Sequence, residues 1–166
     1  SEIIRIFVAA ANAAPLTDWK TAQAWTERIS NTDVASQDAI RVLTVIADKP
    51  AAADVVKDLS NGRKKTLRKD HTVNYTIDET NDANYEFMRR LECSARVKFR
   101  YETAGGKLYG GDEGIKGDIT GNIVNNSGAD EIETIQGTIT WKAKFSPERA
   151  NSPIFENDFL GAEPAE

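Results

Sequence analysis

At 166 residues the chain has the length of one domain able to bury most of the surface its unfolded form exposes, without needing a disulfide or metal to fold. A net charge of -5 and a pI near 5.1 argue against a dedicated nucleic-acid-coating surface. Cys93 is the single cysteine and His71 the single histidine, so no internal bridge forms and a zinc site built from these residue types would be badly under-supplied.

The opening run of Ile3, Ile4, Ile6, Phe7 and Val8 reads as a strand to about Ala11. Arg5 interrupts it and no basic segment precedes it, so it makes a poor signal peptide and is too short to span a bilayer. Ser1 is compatible with loss of an initiator methionine and synthesis in a cytoplasm. A loop at residues 12–15 leads to a helix over 17–29, capped by Thr17 or Asp18, with Trp19, Ala22, Trp25 and Ile29 on one apolar face. Residues 40–46 mix apolar positions of both parities, as in a strand buried on both sides or a short strand with a bulge, which Lys49, Pro50 and three alanines end. Asn61-Gly62 marks a turn, and residues 63–77 read as one long hairpin arm whose first half extends beyond the core. A second helix is expected over 81–92, with Ala83, Phe87, Met88 and Leu91 on its stripe.

Three segments of two-residue alternation follow. Ala95, Val97, Phe99 and Tyr101 alternate with Arg96, Lys98 and Arg100; Ile115, Gly117, Ile119, Gly121 and Ile123 with Lys116, Asp118, Thr120 and Asn122; Ile139, Trp141, Ala143 and Phe145 with Thr138, Thr140, Lys142 and Lys144. Each predicts a strand with one buried face, and the set predicts a mainly β fold, a sandwich or partly closed barrel with one central flanking helix. Gly105-Gly106 predicts a tight connection, residues 110–114 (GGDEG) a solvent loop, residues 125–130 a hairpin turn, and residues 131–135 a further strand. A single domain over 1–150 would then be followed by an extended arm, 151–166, in which Phe155, Phe159 and Leu160 are apolar enough to dock onto the same domain or a neighbour.

Catalytic chemistry finds little support. Asp70 and His71 are strand neighbours and point to opposite faces, Ser60 and Cys93 lack an activating context, and GGDEG supplies two carboxylates where a calcium site wants about six oxygens. No cofactor is expected. The basic run Arg63, Lys64, Lys65, Arg68 and Lys69 has three readings: a solvated hairpin, an interface arm that meets acidic patches of another subunit, or a nucleic-acid contact. The last wants interleaved aromatic groups, and none sits in the run. As one regular strand it would put Arg63, Lys65 and Lys69 on one side with Lys64 and Arg68 on the other.

Residues 71–93 (HTVNYTIDETNDANYEFMRRLEC), 97–111 (VKFRYETAGGKLYGG) and 130–149 (DEIETIQGTITWKAKFSPER) resemble tailed-bacteriophage tail tube (major tail) proteins, of the type found in phages of Bacteroidetes-like hosts. The resemblance lies in arrangement over residues 60–150. It implies a non-enzymatic virion structural protein, a β-sandwich or barrel joined into hexameric rings that stack into a tube for DNA ejection. Its partners would be itself, other tail proteins and DNA passing without specific binding, with no membrane. Residues 63–69 together with Phe155, Phe159 and Leu160 would then reach neighbouring subunits, and Asp118, Thr120 and Asn122 would line the bore. Rival readings are a tail terminator, a head-to-tail joining protein, an injection-system inner tube, or, in another class, a monomeric carbohydrate- or protein-binding β-sandwich with Tyr109 as its platform residue.

Overall fold

The computed structural model describes residues 2–29, 39–78, 82–90, 95–125, 127 and 133–153. The described chain is mainly β. In order it runs β1 (Ile3–Ala10), α1 (Ala22–Ile29), β2 (Arg41–Asp48), β3 (Ala53–Asp58), a 3-10 turn (Ser60–Gly62), β4 (Lys64–Ile77), α2 (Asp82–Arg90), β5 (Ala95–Thr103), β6 (Lys107–Tyr109), β7 (Ile115–Val124), β8 (Thr134–Ala143) and β9 (Arg149–Asn151). Hydrogen bonding follows the order β1-β2-β4-β8-β7-β5-β6-β9, β3 joins β4, and β1 also pairs with β5. Six strands therefore close their pairings on one another, the pattern of a barrel rather than of two separate sheets.

The chain divides into two compact units, one of Ser1–Ile46, Arg96–Lys116 and Pro147–Glu166, the other of Ala47–Ala95 and Gly117–Ser146. In the first, β1 pairs antiparallel with β5, and β5, β6 and β9 continue the sheet. Phe7, Ala9, Ala13, Leu16, Trp19, Trp25, Ile40 and Leu108 form its core, with the Phe7 and Trp25 rings 4.8 Å apart. The helix expected over 17–29 starts only at Ala22, because Asp18 holds the preceding residues in a turn: its carbonyl accepts from Thr21 N–H and its carboxylate from Lys20 N–H. Trp19 nonetheless reaches the core, where its carbonyl accepts from the Trp25 indole at 2.8 Å. β2 buries Leu43, Val45 and Ala47 and exposes Ile46, so it has one buried face and not two.

In the second unit β4, β8 and β7 pair antiparallel, and their buried residues fall into cross-strand rows. His71 lies opposite Trp141; Val73, Ile139 and Ile119 form the next row, then Tyr75, Gly137 and Gly121, then Ile77, Ile135 and Ile123. The segment from Ile135 to Ala143 is one strand, where sequence periodicity divided it in two at Gly137. Glycine is needed there because a Cβ would meet the Thr120 carbonyl oxygen, Tyr75 Oη at 2.6 Å and Gly121 Cα at 2.8 Å. Tyr75 fills that space and its hydroxyl donates to the Thr120 carbonyl at 2.7 Å. β8 stops at Ala143, so Phe145, expected on the buried parity, is 76 % exposed.

Other differences are local. β3 escapes the sequence pattern because Asp54, Lys57 and Asp58 break its alternation. β9 ties residues 149–151 to β6, and Ser152 and Pro153 are buried, so the first residues of the expected C-terminal arm belong to the fold. Within the second helix only residues 82–90 are described. The turn at 125–130 falls largely outside the described residues, as do Cys93, Phe155, Phe159 and Leu160.

Gly137→Ala is expected to destabilise the protein by about 2 kcal/mol or more, since overpacking of a closed site costs that much. Urea unfolding measures it, and a change within about 0.5 kcal/mol, the range of an ordinary surface substitution, would show that Tyr75 swings aside.

Candidate functional site

Opposite the apolar rows, β4, β8 and β7 present Thr72, Asn74 and Thr76; Thr140, Thr138 and Gln136; and Asp118, Thr120 and Asn122, paired row by row. All nine are exposed or half-buried, and Asp118 carries the only charge. Thr120 Oγ1 lies 3.2 Å from Thr138 Oγ1, which locks two hydroxyls across the strands. The sequence pointed to Asp118, Thr120 and Asn122 alone. The other six arrive through register, and their only trace in the sequence is the polar half of the alternation in 72–76 and 136–140.

The basic run occupies a projecting hairpin. β3 pairs with β4 from Asp58↔Lys64 to Ala53↔Asp70, whereas β8 begins to pair only at Lys69↔Ala143, so residues 64–68 extend past the end of β8. Arg63 closes the turn, donating to the Ser60 carbonyl at 3.2 Å. A bulge at Leu67 changes the expected parity: Thr66 pairs with Val56 but Arg68 pairs with Val55. Lys65 and Arg68 therefore share one face with Lys57, while Lys64 and Lys69 share the other with Asp54 and Asp58. Lys69 meets Asp54 at 3.7 Å and Arg68 meets Asp70 at 3.6 Å. Lys57 and Lys65 are directly opposed, and neither has an ion-pair partner among the described residues. Val56, Leu59 and Leu67 on the same hairpin are exposed.

In the first unit, strand parity placed Lys98 and Arg100 on a wet face, and the structure buries them with Glu102. Arg100 Nε donates to the Gly111 carbonyl at 2.8 Å, its other end donates to the Asp112 carbonyl, and the guanidinium lies 5.3 Å from the Trp25 ring centre. Burial first, then Arg28, lowers its pKa to about 10 against the pull of Asp112 and Glu113, so it stays charged at neutral pH. Lys98 donates to the Ala13 carbonyl at 2.6 Å and pairs with Glu113 at 3.1 Å. Glu102 accepts from Arg5 and Ser152.

GGDEG is thus not the solvent loop expected. It covers these cations, and Asp112 accepts from Trp19 N–H at 2.8 Å and from Leu16 N–H at 2.9 Å. Gly110 has φ 136°, and a Cβ there would stand 2.6 Å from Arg100 Cγ. Tyr109 stacks on Tyr101 at 4.8 Å and is half-buried, which leaves little of it for a ligand platform.

Asp70 and His71 diverge as adjacent strand residues should: Asp70 faces Arg68, and His71 stacks on Trp141 at 5.0 Å and 6°. Lys49 lies 5.9 Å above the same tryptophan. Neither ring nitrogen of His71 makes a well-formed hydrogen bond. Its pKa is pushed below the ordinary value by burial, then by Lys49 and Lys69, while the Ala143 backbone and Asp70 pull the other way.

Among the described residues no group of three or more His, Cys, Asp or Glu side chains could hold a metal ion, and no helix is long and apolar enough to cross a membrane. No protein-family model matches the chain, and no curated protein or solved structure is significantly similar to it.

Two outcomes test this geometry. Arg100→Met should cost about 3 kcal/mol in denaturant unfolding, because it strands the buried Gly111 carbonyl, removes one of two donors to the Asp112 carbonyl and uncovers the 110–114 loop to protease; a stable, protease-resistant variant would overturn the anchoring role. The depressed pKa of His71 means the unfolded chain binds its proton more readily, so stability is full above the unfolded value of about 6.5 and declines as pH falls below it. His71→Phe keeps the stack and should flatten the stability curve between pH 7 and 5; parallel curves would show that His71 is not the titrating group.

Proposed function

We propose that this chain is a non-enzymatic virion structural protein, a tail tube subunit of a tailed bacteriophage that assembles into stacked, hexameric rings around a bore for DNA. The observation that carries the reading is the nine-residue polar face on β4, β8 and β7. Adhesion to DNA comes chiefly from Lys and Arg neutralising phosphates. Within these three rows, threonine, asparagine and glutamine with one carboxylate hold water and offer phosphate no cation, which suits a wall past which DNA slides; Lys142, opposite Asp70, and Lys116 stand at one end of the face. Closed strand pairings and a hairpin reaching past β8 also fit a tail-tube-like subunit, whose remaining strand edges are consumed in a symmetric assembly. Its partners are further copies of itself and other tail proteins, and its place is the virion tail after synthesis in the host cytoplasm.

Electron microscopy of the purified chain across a concentration range, with light scattering for mass, tests this. Stacked rings with a central bore are expected. A single ring that never stacks would favour a terminator or joining protein, and a monomer at every concentration would overturn the assembly reading in favour of a binding module.

A further inference from the structure

We propose that His71 is an acid-sensitive latch at the base of the β3–β4 hairpin: as a neutral ring it seats the hairpin on Trp141, and on taking up a proton it leaves the core and frees the hairpin. The movement lies within the second unit and stands apart from the assembly reading.

His71 sits where the hairpin leaves the barrel. β8 pairs with β4 no further than Lys69↔Ala143, and β3 takes over from Ala53↔Asp70. No residue of 64–70 is buried, whereas His71 is 1 % exposed and Val73, two residues on, is fully buried. A two-stranded ribbon is marginal by itself in water. The His71 ring, 6° from parallel to Trp141 with centres 5.0 Å apart, is therefore the first side chain of β4 that ties the ribbon to the core. On the β8 side its release opens only the last pairs, Lys69↔Ala143, Asp70↔Lys142 and His71↔Trp141, and the ends of a ladder open at least cost.

The site suits a neutral ring and not a charged one. Neither ring nitrogen makes a well-formed hydrogen bond, so an imidazolium, with two N–H donors, would lose its water without acceptors to compensate. Burial first, then Lys49 and Lys69, favours the neutral form. Lys49, in the segment after β2, stands 5.9 Å over the Trp141 ring, and Lys69 is shared with Asp54 of β3 at 3.7 Å. The Ala143 backbone and Asp70 favour the cation, but Asp70 is turned toward Arg68 at 3.6 Å, and Lys142 of β8 lies opposite Asp70. An indole face also attracts a cation, and here Lys49 already stands over it. Once the imidazole reaches water it regains its ordinary pKa of about 6.5. The released state thus binds the proton more readily, so the latch holds fully above that pH and weakens as pH falls below it.

Hydrogen exchange of the full chain between pH 7 and 5, corrected for intrinsic rates, tests the latch. Amides of residues 69–72 and 141–143 should exchange about tenfold faster at pH 5, the factor that one unit of difference in proton affinity supplies, and should run ahead of those of residues 75–77. His71→Phe keeps the stack and cannot charge, so its exchange at 69–72 should not change with pH. His71 is the only histidine, so its NMR titration needs no assignment. A midpoint below about 6.5 is expected, and Lys49→Met should raise it, a readout that does not depend on the phenylalanine variant folding. A midpoint at or above the ordinary value would overturn the latch, as would one that Lys49→Met leaves in place. Equal acid acceleration in His71→Phe would assign the opening to another group. If residues 69–72 and 75–77 speed up together to one rate, the acid event is global unfolding and the latch is lost.

Discussion

Tyr75, laid across Gly137 and Gly121, holds the register on which the second unit depends. Glycine on β8 and β7 leaves a slot that the phenol ring fills, and the hydroxyl reaches the Thr120 carbonyl at 2.7 Å. Side chains alternate with a period of two, so a slip of one residue would send Ile139, Ile135 and Trp141 outward and bring Thr138, Thr140 and Gln136 into the core. The same contact that seals the apolar rows therefore creates the polar face. Without a fixed register there would be no nine-residue patch from which to read a function.

The first unit solves a different problem. Its β5 strand has no wet face, because Lys98, Arg100 and Glu102 are covered on one side as Val97, Phe99 and Tyr101 are on the other. Buried charge is tolerated only when paired and hydrogen-bonded. Here the acceptors are largely peptide carbonyls of Ala13, Gly111 and Asp112. Two loops that carry no regular structure are thereby held in one conformation, and the glycines of GGDEG let the backbone come close enough to do it. The cations organise the loops, and the loops keep the cations dry.

The hairpin shows how one residue changes chemistry. Leu67 is inserted at a bulge, and the basic run, evenly divided in a regular strand, becomes a face bearing Lys57, Lys65 and Arg68 and another where Lys64 and Lys69 stand among Asp54 and Asp58. The second face is internally compensated. The first is not: Lys57 and Lys65 stand directly opposite each other.

What the sequence determined by itself was whatever depends on local period. The buried rows of β7, the long reach of β4, the turn at Asn61-Gly62 and the mainly β class all follow from alternation and glycine placement, which act over a few residues. Helix α1 began late because a single Asp18 turn outcompeted the apolar spacing. β3 went unseen because Asp54, Lys57 and Asp58 break its alternation, and β8 was divided because Gly137 is explicable only beside Tyr75. Burial of Lys98 and Arg100, assembly of the polar face from three strands and opposition of Lys57 to Lys65 were decided by the tertiary structure alone. Each depends on which distant residue lies opposite, and strand pairing, unlike periodicity, is not written in any one segment.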